Sequence, residues 1–254
     1  MLFTFIVGTA GSGKSMMTAS LEKWLVTADM SVTVVNLDPG IENPPYTSDI
    51  DIREYVDYGE VMNSFNLGPN GALVASLDMA VGQIGELREE IIEMGRDYVI
   101  VDCPGQMELF AYRNSGPLMV SSIRDADPAL SLYLLDSNIA RTPAGYLSSM
   151  LLGLSIHIRF VLPQLNILSK PDILIEEQIE EIVSWSDDSY LLEGVLEEFS
   201  DGLVREYSTA ILQMLNDIGN ESHVIPVSAR SMSGMESLYG EMQRIFLGGD
   251  NLIV

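Results

Sequence analysis

The sequence predicts an α/β fold in which a mostly parallel sheet is flanked by helices. Short apolar runs rich in Val, Leu and Ile alternate with longer segments that have helical periodicity. A glycine-rich turn also separates the first apolar run from the first helical segment. Strands that alternate with helices form βαβ units, whose strands run parallel and whose helices cover the faces of the sheet.

The predicted elements follow in order along the chain. Ligands bind at the carboxyl ends of strands in such sheets, so the loops that follow strands are the candidate functional segments. Strands are predicted at residues 2–7, 31–38, 97–102, 130–136, 160–168 and 223–228. Helices are predicted at residues 14–28, as one or two short helices within 49–65, as one long amphipathic helix over 72–94, and at 235–246.

Length and composition narrow the class of protein. The chain has 254 residues, which fits a single domain over residues 1–254. It has 37 acidic against 13 basic residues, and the net charge of −24 argues against direct binding to nucleic acid or to an anionic membrane. Cys103 is the only cysteine, so we expect an inert core thiol and no disulfide. With no signal peptide or apolar span recognised, we expect a soluble, cytoplasmic protein.

The turn from Gly8 to Ser15 matches G-x-x-x-x-G-K-[ST] at every fixed position and lies between a strand and a helix. Its glycines let backbone amides point at a phosphate, and the helix N-terminus adds positive potential. Lys14 would contact the β- and γ-phosphates, and the Ser15 hydroxyl would bind Mg²⁺. The motif predicts a P-loop NTPase fold. The residues expected to bind nucleotide here are Gly11, Ser12, Gly13, Lys14, Ser15 and Met16.

Asp102 ends the apolar strand YVIVD, where an ionised carboxylate is costly unless it has a partner. A magnesium ion supplies such a partner. We therefore predict that Asp102 is the Walker B acid and holds Mg²⁺ through a water molecule, together with Ser15.

A guanine-recognition pattern follows the fifth predicted strand. Ser169-Lys170-Pro171-Asp172 is of the [NT]-K-x-D type, with serine in the first place. The Asp172 carboxylate would accept hydrogen bonds from guanine N1–H and N2–H₂, while the Lys170 stem would pack on the base. Ser228 and Ala229 follow the sixth predicted strand and would support the base. Only three lysines occur in the chain, and Lys14 and Lys170 both fall in these motifs, which predicts GTP and GDP as substrate and product.

The segment from Asp172 to Val204 contains eleven acidic residues and no lysine or arginine. We expect it to form a helical insertion, at about residues 173–204, outside the nucleotide-binding core. The favoured interpretation is a solvated helical face, and the alternative is a docking surface for a basic partner.

Five ordered motifs together resemble one family. Beside the P-loop, the chain carries NLDPG from Asn36, DIRE from Asp51, Gly68-Pro69-Asn70, and DCPGQME from Asp102. This set is similar to the GPN-loop GTPases, of the short archaeal type, over residues 3–246. One small departure is Gly40, where alanine is usual in the family.

The resemblance implies a homodimer around the nucleotide. Gly68, Pro69 and Asn70 of one subunit would reach the nucleotide of the other, where Asn70 would contact the γ-phosphate region in trans. Asp38 and Gln106 would position the attacking water, and Glu108 would support them. The resemblance also implies a protein client, with RNA polymerase or its assembly machinery as the family-level expectation.

Several alternatives stay open from the sequence alone. Asn70 could instead be a turn residue that caps the following helix. Arg53 and Arg113 are candidates for a catalytic arginine, but structural ion pairs are the favoured interpretation. At the level of the whole protein, the alternatives are a GTP-dependent scaffold with negligible turnover and a related dimeric ATPase. Thr9 and Asp172 argue against the ATPase, and the lack of an arginine cluster argues against a small-molecule kinase.

Overall fold

A computed structural model describes residues 1–199, 202–217 and 223–248 of the protein. Within those residues, seven strands form one parallel sheet in the order β3-β2-β4-β1-β5-β6-β7. This confirms the predicted α/β P-loop architecture. The strands are β1 (Leu2–Gly8), β2 (Val32–Asn36), β3 (Ile50–Asp51), β4 (Tyr98–Asp102), β5 (Ala129–Asp136), β6 (Gln164–Ser169) and β7 (Val224–Val227).

Helices lie between consecutive strands, as is usual for parallel crossovers, except between β2 and β3, which a loop joins. Short 3₁₀ turns lie at Ile52–Glu54, Val81–Gln83 and Pro171–Ile173. The α-helices are α1 (Lys14–Thr27), α2 (Tyr58–Ser64), α3 (Pro69–Ala80), α4 (Ile84–Met94), α5 (Met107–Phe110), α6 (Ser115–Arg124), α7 (Ser137–Ala140), α8 (Pro143–Phe160), α9 (Glu176–Asp187), α10 (Ser189–Phe199), α11 (Leu203–Asp217) and α12 (Met235–Leu247).

The core lies on both faces of the sheet, because side chains of each strand alternate between the two faces. On β1, Phe5 belongs to one hydrophobic cluster and Ile6 to the other. Helices α1 and α12 cover the Ile6 face, while α3, α4, α6, α8 and α9 contribute to the Phe5 face. The strands are therefore predominantly apolar on both faces, which is why the sequence shows them as apolar runs.

The strand register places the polar ends of several strands side by side. Asp102 at the end of β4 is in register with Ile6 of β1 and with Asn36 of β2. On the other side of β1, Asp136 of β5 is in register with Ser169 of β6. These residues lie at the carboxyl edge of the sheet, where the P-loop also begins.

Three element predictions were incomplete or inexact. Residues 49–65 contain the short helices expected there, the 3₁₀ turn at Ile52–Glu54 and helix α2, but also strand β3, whose two residues are too few to show an alternating pattern. Residues 72–94 form two helices, α3 and α4, separated by the 3₁₀ turn that contains Gly82. The strand predicted over 160–168 starts only at Gln164, because Phe160 ends α8 and Val161 has a left-handed backbone conformation.

The acidic segment contains helices α9 and α10 between β6 and β7, although residues 200 and 201 lie outside the described part. Its acidic residues at 176, 177, 180, 181, 187 and 188 are exposed, whereas Ile182, Trp185 and Leu192 are buried. The Trp185 ring meets Tyr146 of α8 edge-on, with ring centroids 5.6 Å apart. Both helices therefore pack apolar side chains on the protein, and α9 presents its carboxylates to solvent.

None of the helices in the described ranges is long and apolar enough to cross a lipid bilayer.

Candidate functional site

The phosphate loop joins β1 to α1 and owes its shape to glycines. Gly13 precedes α1 with φ of 98°, a left-handed conformation that a side chain would disfavour. A Cβ on Gly8 would lie 2.7 Å from Ser12 Oγ and 3.0 Å from Leu134 O. These positions need glycine because the loop folds tightly against itself and against β5.

Lys14 is almost fully buried, with 6% of its surface exposed. Its Nζ donates hydrogen bonds to Gly8 O at 3.1 Å and to Thr9 O at 3.0 Å. Burial lowers the pKa of this ammonium, and the nearby Asp102 and Asp38 carboxylates counteract the shift. Lys14 thus lies within the phosphate loop, at the position from which its charge can act on phosphate oxygens.

Asp102 is 1% exposed, and its two carboxylate oxygens have different environments. Oδ2 accepts a hydrogen bond from Tyr46 Oη at 2.7 Å. Oδ1 is buried and has no hydrogen-bond partner in the part of the chain that the structure describes. Burial raises the pKa of Asp102 to about 6, although the nearby Ser15 hydroxyl and the Tyr46 hydrogen bond oppose this shift. A buried carboxylate oxygen without a partner, next to a serine hydroxyl, fits a magnesium-bound water.

No cluster of three or more His, Cys, Asp or Glu side chains that could hold a metal occurs in the described residues. Cys103 follows Asp102 and is buried; burial raises the pKa of its thiol, so the thiol stays protonated.

Asp38 connects the loop after β2 to the loop after β4. Its Oδ2 accepts from the Gly105 amide at 3.2 Å, and its Oδ1 accepts from the Gly40 amide at 2.9 Å. Gln106 follows Gly105, is half-buried, and precedes α5. The structure therefore brings Asp38 to the segment that carries Gln106, while Glu108 is exposed and forms no hydrogen bond among the described contacts.

Three of the four predicted base-recognition residues, Lys170, Asp172 and Ala229, line one cavity of about 350 Å³ beside the phosphate loop. Lys170 Nζ forms an ion pair with Asp136 Oδ2 at 2.7 Å and also donates to Gly11 O. Asp172 Oδ1 accepts a hydrogen bond from Ser228 Oγ at 2.6 Å. The same cavity is lined by Ser12, Gly13, Met16, Lys170, Asp172, Ala229 and Arg230.

Ser169 has a structural role at the first position of the base-recognition pattern. Its buried Oγ lies 2.8 Å from Ser12 O and 3.0 Å from Leu135 O. The hydroxyl therefore connects the end of β6 to the phosphate loop and to β5.

The GPN loop lies at the start of α3 and is exposed. Gly68 is the N-cap residue, Pro69 is the first helical residue, and Asn70 is the second. The alternative that Asn70 caps this helix is therefore wrong. Tyr58 Oη donates to Pro69 O at 3.0 Å, but the Asn70 side chain forms no hydrogen bond among the described contacts. The described contacts do not join Asn70 to the phosphate loop.

The two candidate catalytic arginines differ. Arg53 forms an ion pair with Asp51, with NH2 2.7 Å from Oδ2, and its NH1 donates to Ile41 O at 2.9 Å. Arg113 is exposed and is in none of the ion pairs of the described residues. Arg53 is thus a structural ion-pair partner that holds the loop before β3.

Sequence reasoning missed several residues of the site. Tyr46 contacts Asp102, Asn36 contacts Asp38, and Asp136 contacts Lys170, while Arg230 lines the cavity. Asp136 and Asn36 are polar residues that end apolar strands at the same edge as Asp102, and this pattern could have identified them from the sequence. Tyr46 lies in an irregular loop, where no sequence pattern marks it.

Comparison with known proteins agrees with this geometry. A family model described as a conserved hypothetical ATP binding protein matches residues 6–247. "GPN-loop GTPase PAB0955" of Pyrococcus abyssi is 31% identical over 241 residues, which is 93% of this chain and 94% of the relative. Its crystal structure, described as a GTPase in apo form, superposes with a TM-score of 0.86 at 29% identity and covers 96% of both chains.

"GPN-loop GTPase 1" of Dictyostelium discoideum is 30% identical over 92% of this chain. The chain spans 59% of that relative's length, and 54% and 46% of two further eukaryotic relatives. The family match over nearly the whole chain, the archaeal relative and the shared P-loop fold lead to one conclusion: the chain belongs to the GPN-loop GTPase family.

Proposed function

We propose that the protein binds and hydrolyses GTP with Mg²⁺, as a homodimer in which the GPN loop acts in trans. The observation that carries this proposal is the convergence at one sheet edge of three features. These are the phosphate loop with Lys14, the buried Asp102 oxygen without a partner, and the cavity that contains Asp172. Together they match the phosphates, the metal and the base of one nucleotide.

The base cavity supports guanine over adenine, although the family model's description mentions ATP. An aspartate carboxylate accepts hydrogen bonds, and guanine has two donors, N1–H and N2–H₂, on the edge where adenine has an acceptor at N1. Ser228 holds one Asp172 oxygen at 2.6 Å and so fixes the carboxylate in the cavity. The Lys170 ammonium is held by Asp136 and Gly11, which leaves its apolar stem as a wall for the base.

Ser15 and Asp102 would hold Mg²⁺, which neutralises charge on the phosphates when it is bound. Asp38 and Gln106 lie on connected loops, and their side chains can accept and orient a water molecule. Glu108 would support that group once the loops close on nucleotide. The exposure of Gly68, Pro69 and Asn70 supports a contact with a second subunit.

The hydrolysis test uses Asn70→Ala and Gln106→Ala, with Asn63→Ala on the exposed face of α2 as the matched control. Both site variants should bind GTP normally but hydrolyse it about 10- to 1,000-fold more slowly in single-turnover assays. The control should match the wild type. Wild-type turnover in both site variants would contradict the proposed mechanism, and negligible turnover in the wild type would favour the scaffold alternative.

The base assignment is tested with Asp172→Asn, since an amide can donate to the carbonyl that xanthine has at C2. Binding of GDP should weaken and binding of xanthosine diphosphate should strengthen, both measured by calorimetry. Asp187→Asn, on the exposed surface of α9, is the control and should change neither affinity. Unchanged GDP affinity in Asp172→Asn would refute the assignment of this residue.

The dimer is tested by light scattering in the presence of GDP and aluminium fluoride. We expect twice the mass of one chain, because a contact in trans requires two subunits. A strict monomer that still hydrolyses GTP would contradict catalysis in trans.

Beyond catalysis, we propose a nucleotide-gated switch or assembly factor with a protein client such as RNA polymerase or its assembly machinery. Affinity capture with the Gln106→Ala variant tests this by identifying what it retains with GTP.

A further inference from the structure

Tyr46 connects an irregular loop to the buried carboxylate of Asp102. It lies between β2 and β3, and its ring packs in the hydrophobic cluster on the α1 side of the sheet. The side chain is 9% exposed, and its Oη donates to Asp102 Oδ2 at 2.7 Å. The two residues are 56 positions apart, so only the fold brings them together.

The hydroxyl has one main acceptor. Asn36 Oδ1 lies 3.4 Å from Tyr46 Oη, but it already accepts the Asp38 amide at 3.0 Å. The Tyr46 proton is therefore directed to Asp102 Oδ2. Because this bond fixes one carboxylate oxygen, it also fixes the direction of the other oxygen, Oδ1, which has no partner among the described residues.

We propose that Tyr46 is a positioning residue for magnesium, an inference that rests on the proposed GTPase function. Its hydroxyl holds Asp102 so that Oδ1 faces the water shell of the ion beside Ser15. A phenol suits this role because it is a neutral donor that does not compete with the carboxylate for the cation. Partners of this kind, which orient a metal-binding group without touching the metal, change metal affinity by about 10- to 100-fold when they are removed.

The loop that carries Tyr46 is anchored at both ends. Asn36 Nδ2 donates to Asp51 Oδ1 at 3.0 Å, and Arg53 joins Asp51 to Ile41 O. The segment between Ile41 and Asp51 is therefore held by this polar network and by Tyr46 at its centre. Since binding effects are reciprocal, magnesium at Asp102 stabilises this loop to the same extent that the loop favours magnesium.

The test compares Tyr46→Phe with wild type, and Tyr146→Phe serves as the matched control. Tyr146 is also buried, and its hydroxyl has no partner among the described residues, so the loss of that hydroxyl should have no effect. The affinity for GDP is measured by calorimetry with Mg²⁺ and with EDTA. Tyr46→Phe should bind GDP normally in EDTA, which also shows that it is folded. The factor by which Mg²⁺ increases its affinity for GDP should be about tenfold smaller than in the wild type.

Equal magnesium tightening in Tyr46→Phe and wild type would overturn the inference. A wild type that binds no GDP, or binds it without any effect of magnesium, would instead contradict the proposed function. A second measurement needs no variant. Hydrogen exchange of the amides at residues 41–47 should slow when Mg²⁺ is added to the wild-type GDP complex, and exchange that is unchanged by Mg²⁺ would also overturn the inference.

Discussion

Single charged side chains at the carboxyl edge of the sheet depend on partners far away in the sequence. Lys170 is held by Asp136, and Asp102 by Tyr46. A buried or half-buried charge without such a partner is energetically costly. Each partner therefore lowers that cost and also fixes the orientation of the charged group. The site is therefore set by pairs of residues, of which the local motif contains only one member.

At this scale, Asp136→Asn should weaken GDP binding by about 3- to 10-fold, because the Lys170 ammonium loses its anionic partner. The asparagine oxygen can still accept from the Asn138 amide, as Asp136 Oδ1 does at 2.9 Å, so the start of α7 is kept. Fluorescence titration with labelled GDP measures the change. Asp187→Asn should bind as the wild type does, and wild-type affinity in Asp136→Asn would show that Asp136 does not position Lys170.

A second residue-scale prediction concerns Asp51 and pH. Burial alone would raise the pKa of Asp51, but hydrogen bonds from Arg53, Ser48 and Asn36 lower it to about 2. A depressed pKa means that the group stabilises the fold above its unfolded pKa of about 3.9, and that this contribution is lost as the pH falls toward about 2.

Arg53→Met should therefore reduce the free energy of unfolding by roughly 1–2 kcal/mol near neutral pH, a value reduced for solvent screening because Arg53 is partly exposed. The difference from wild type should shrink as the pH falls below about 4. Urea unfolding at several pH values measures it. A large loss of GTP hydrolysis with unchanged stability would instead favour the catalytic-arginine alternative.

Whole elements in this protein begin and end where glycine and proline permit. Pro69 starts α3 directly after the exposed Gly68. Asn70 therefore lies in the first turn of α3, and the helix holds the GPN loop in one position. Helices α3 and α4 are interrupted by the 3₁₀ turn that contains Gly82. The long helix predicted there had the correct periodicity but lacked this interruption.

The corresponding prediction compares two helical glycines. A Cβ on Gly85 in α4 would meet nothing within 4 Å, whereas one on Gly116 in α6 would lie 2.1 Å from Phe110 O. Gly85→Ala should stabilise the fold by about 0.5–1 kcal/mol, since alanine loses less backbone entropy in a helix. Gly116→Ala should destabilise it or prevent folding. Thermal unfolding measures the stability of both variants. Equal effects of the two substitutions would contradict the expected difference between the open and the crowded position.

For the whole molecule, the net charge of −24 acts on stability as well as on binding. The exposed carboxylates of α9 have no basic residue in their own segment, so they repel one another. Salt screens such repulsion, because the Debye length falls from about 10 Å at 0.1 M to about 3 Å at 1 M.

The Tm of the nucleotide-free protein should therefore rise by roughly 3–6 °C between about 0.1 M and 1 M KCl. Differential scanning calorimetry measures this, and the lithium, sodium and potassium chlorides at equal ionic strength should behave alike if screening is the cause. A Tm that stays constant or falls with salt would show that charge repulsion does not limit stability.

Local motifs could be predicted from the sequence because their conformation is local. The phosphate loop is dictated by glycines followed by a helix, and buried parallel strands appear as apolar runs. The positions of Lys14, Asp102, Lys170 and Asp172 at one sheet edge follow from parallel strands alone. Strand β3 could not be predicted, because its two residues are too few to show a pattern. The break between α3 and α4 could not be predicted either, because it leaves the helical periodicity of the apolar residues intact.

The sequence by itself determined the fold class, the family motifs and the residue types of a nucleotide site. The tertiary structure decided which atoms pair within that site. Tyr46 meets Asp102, and Asp136 meets Lys170, across 56 and 34 positions of chain. No periodicity or motif specifies such contacts, because they depend on the path of irregular loops and on the register of neighbouring strands, which are fixed only when the whole sheet and its two cores are assembled.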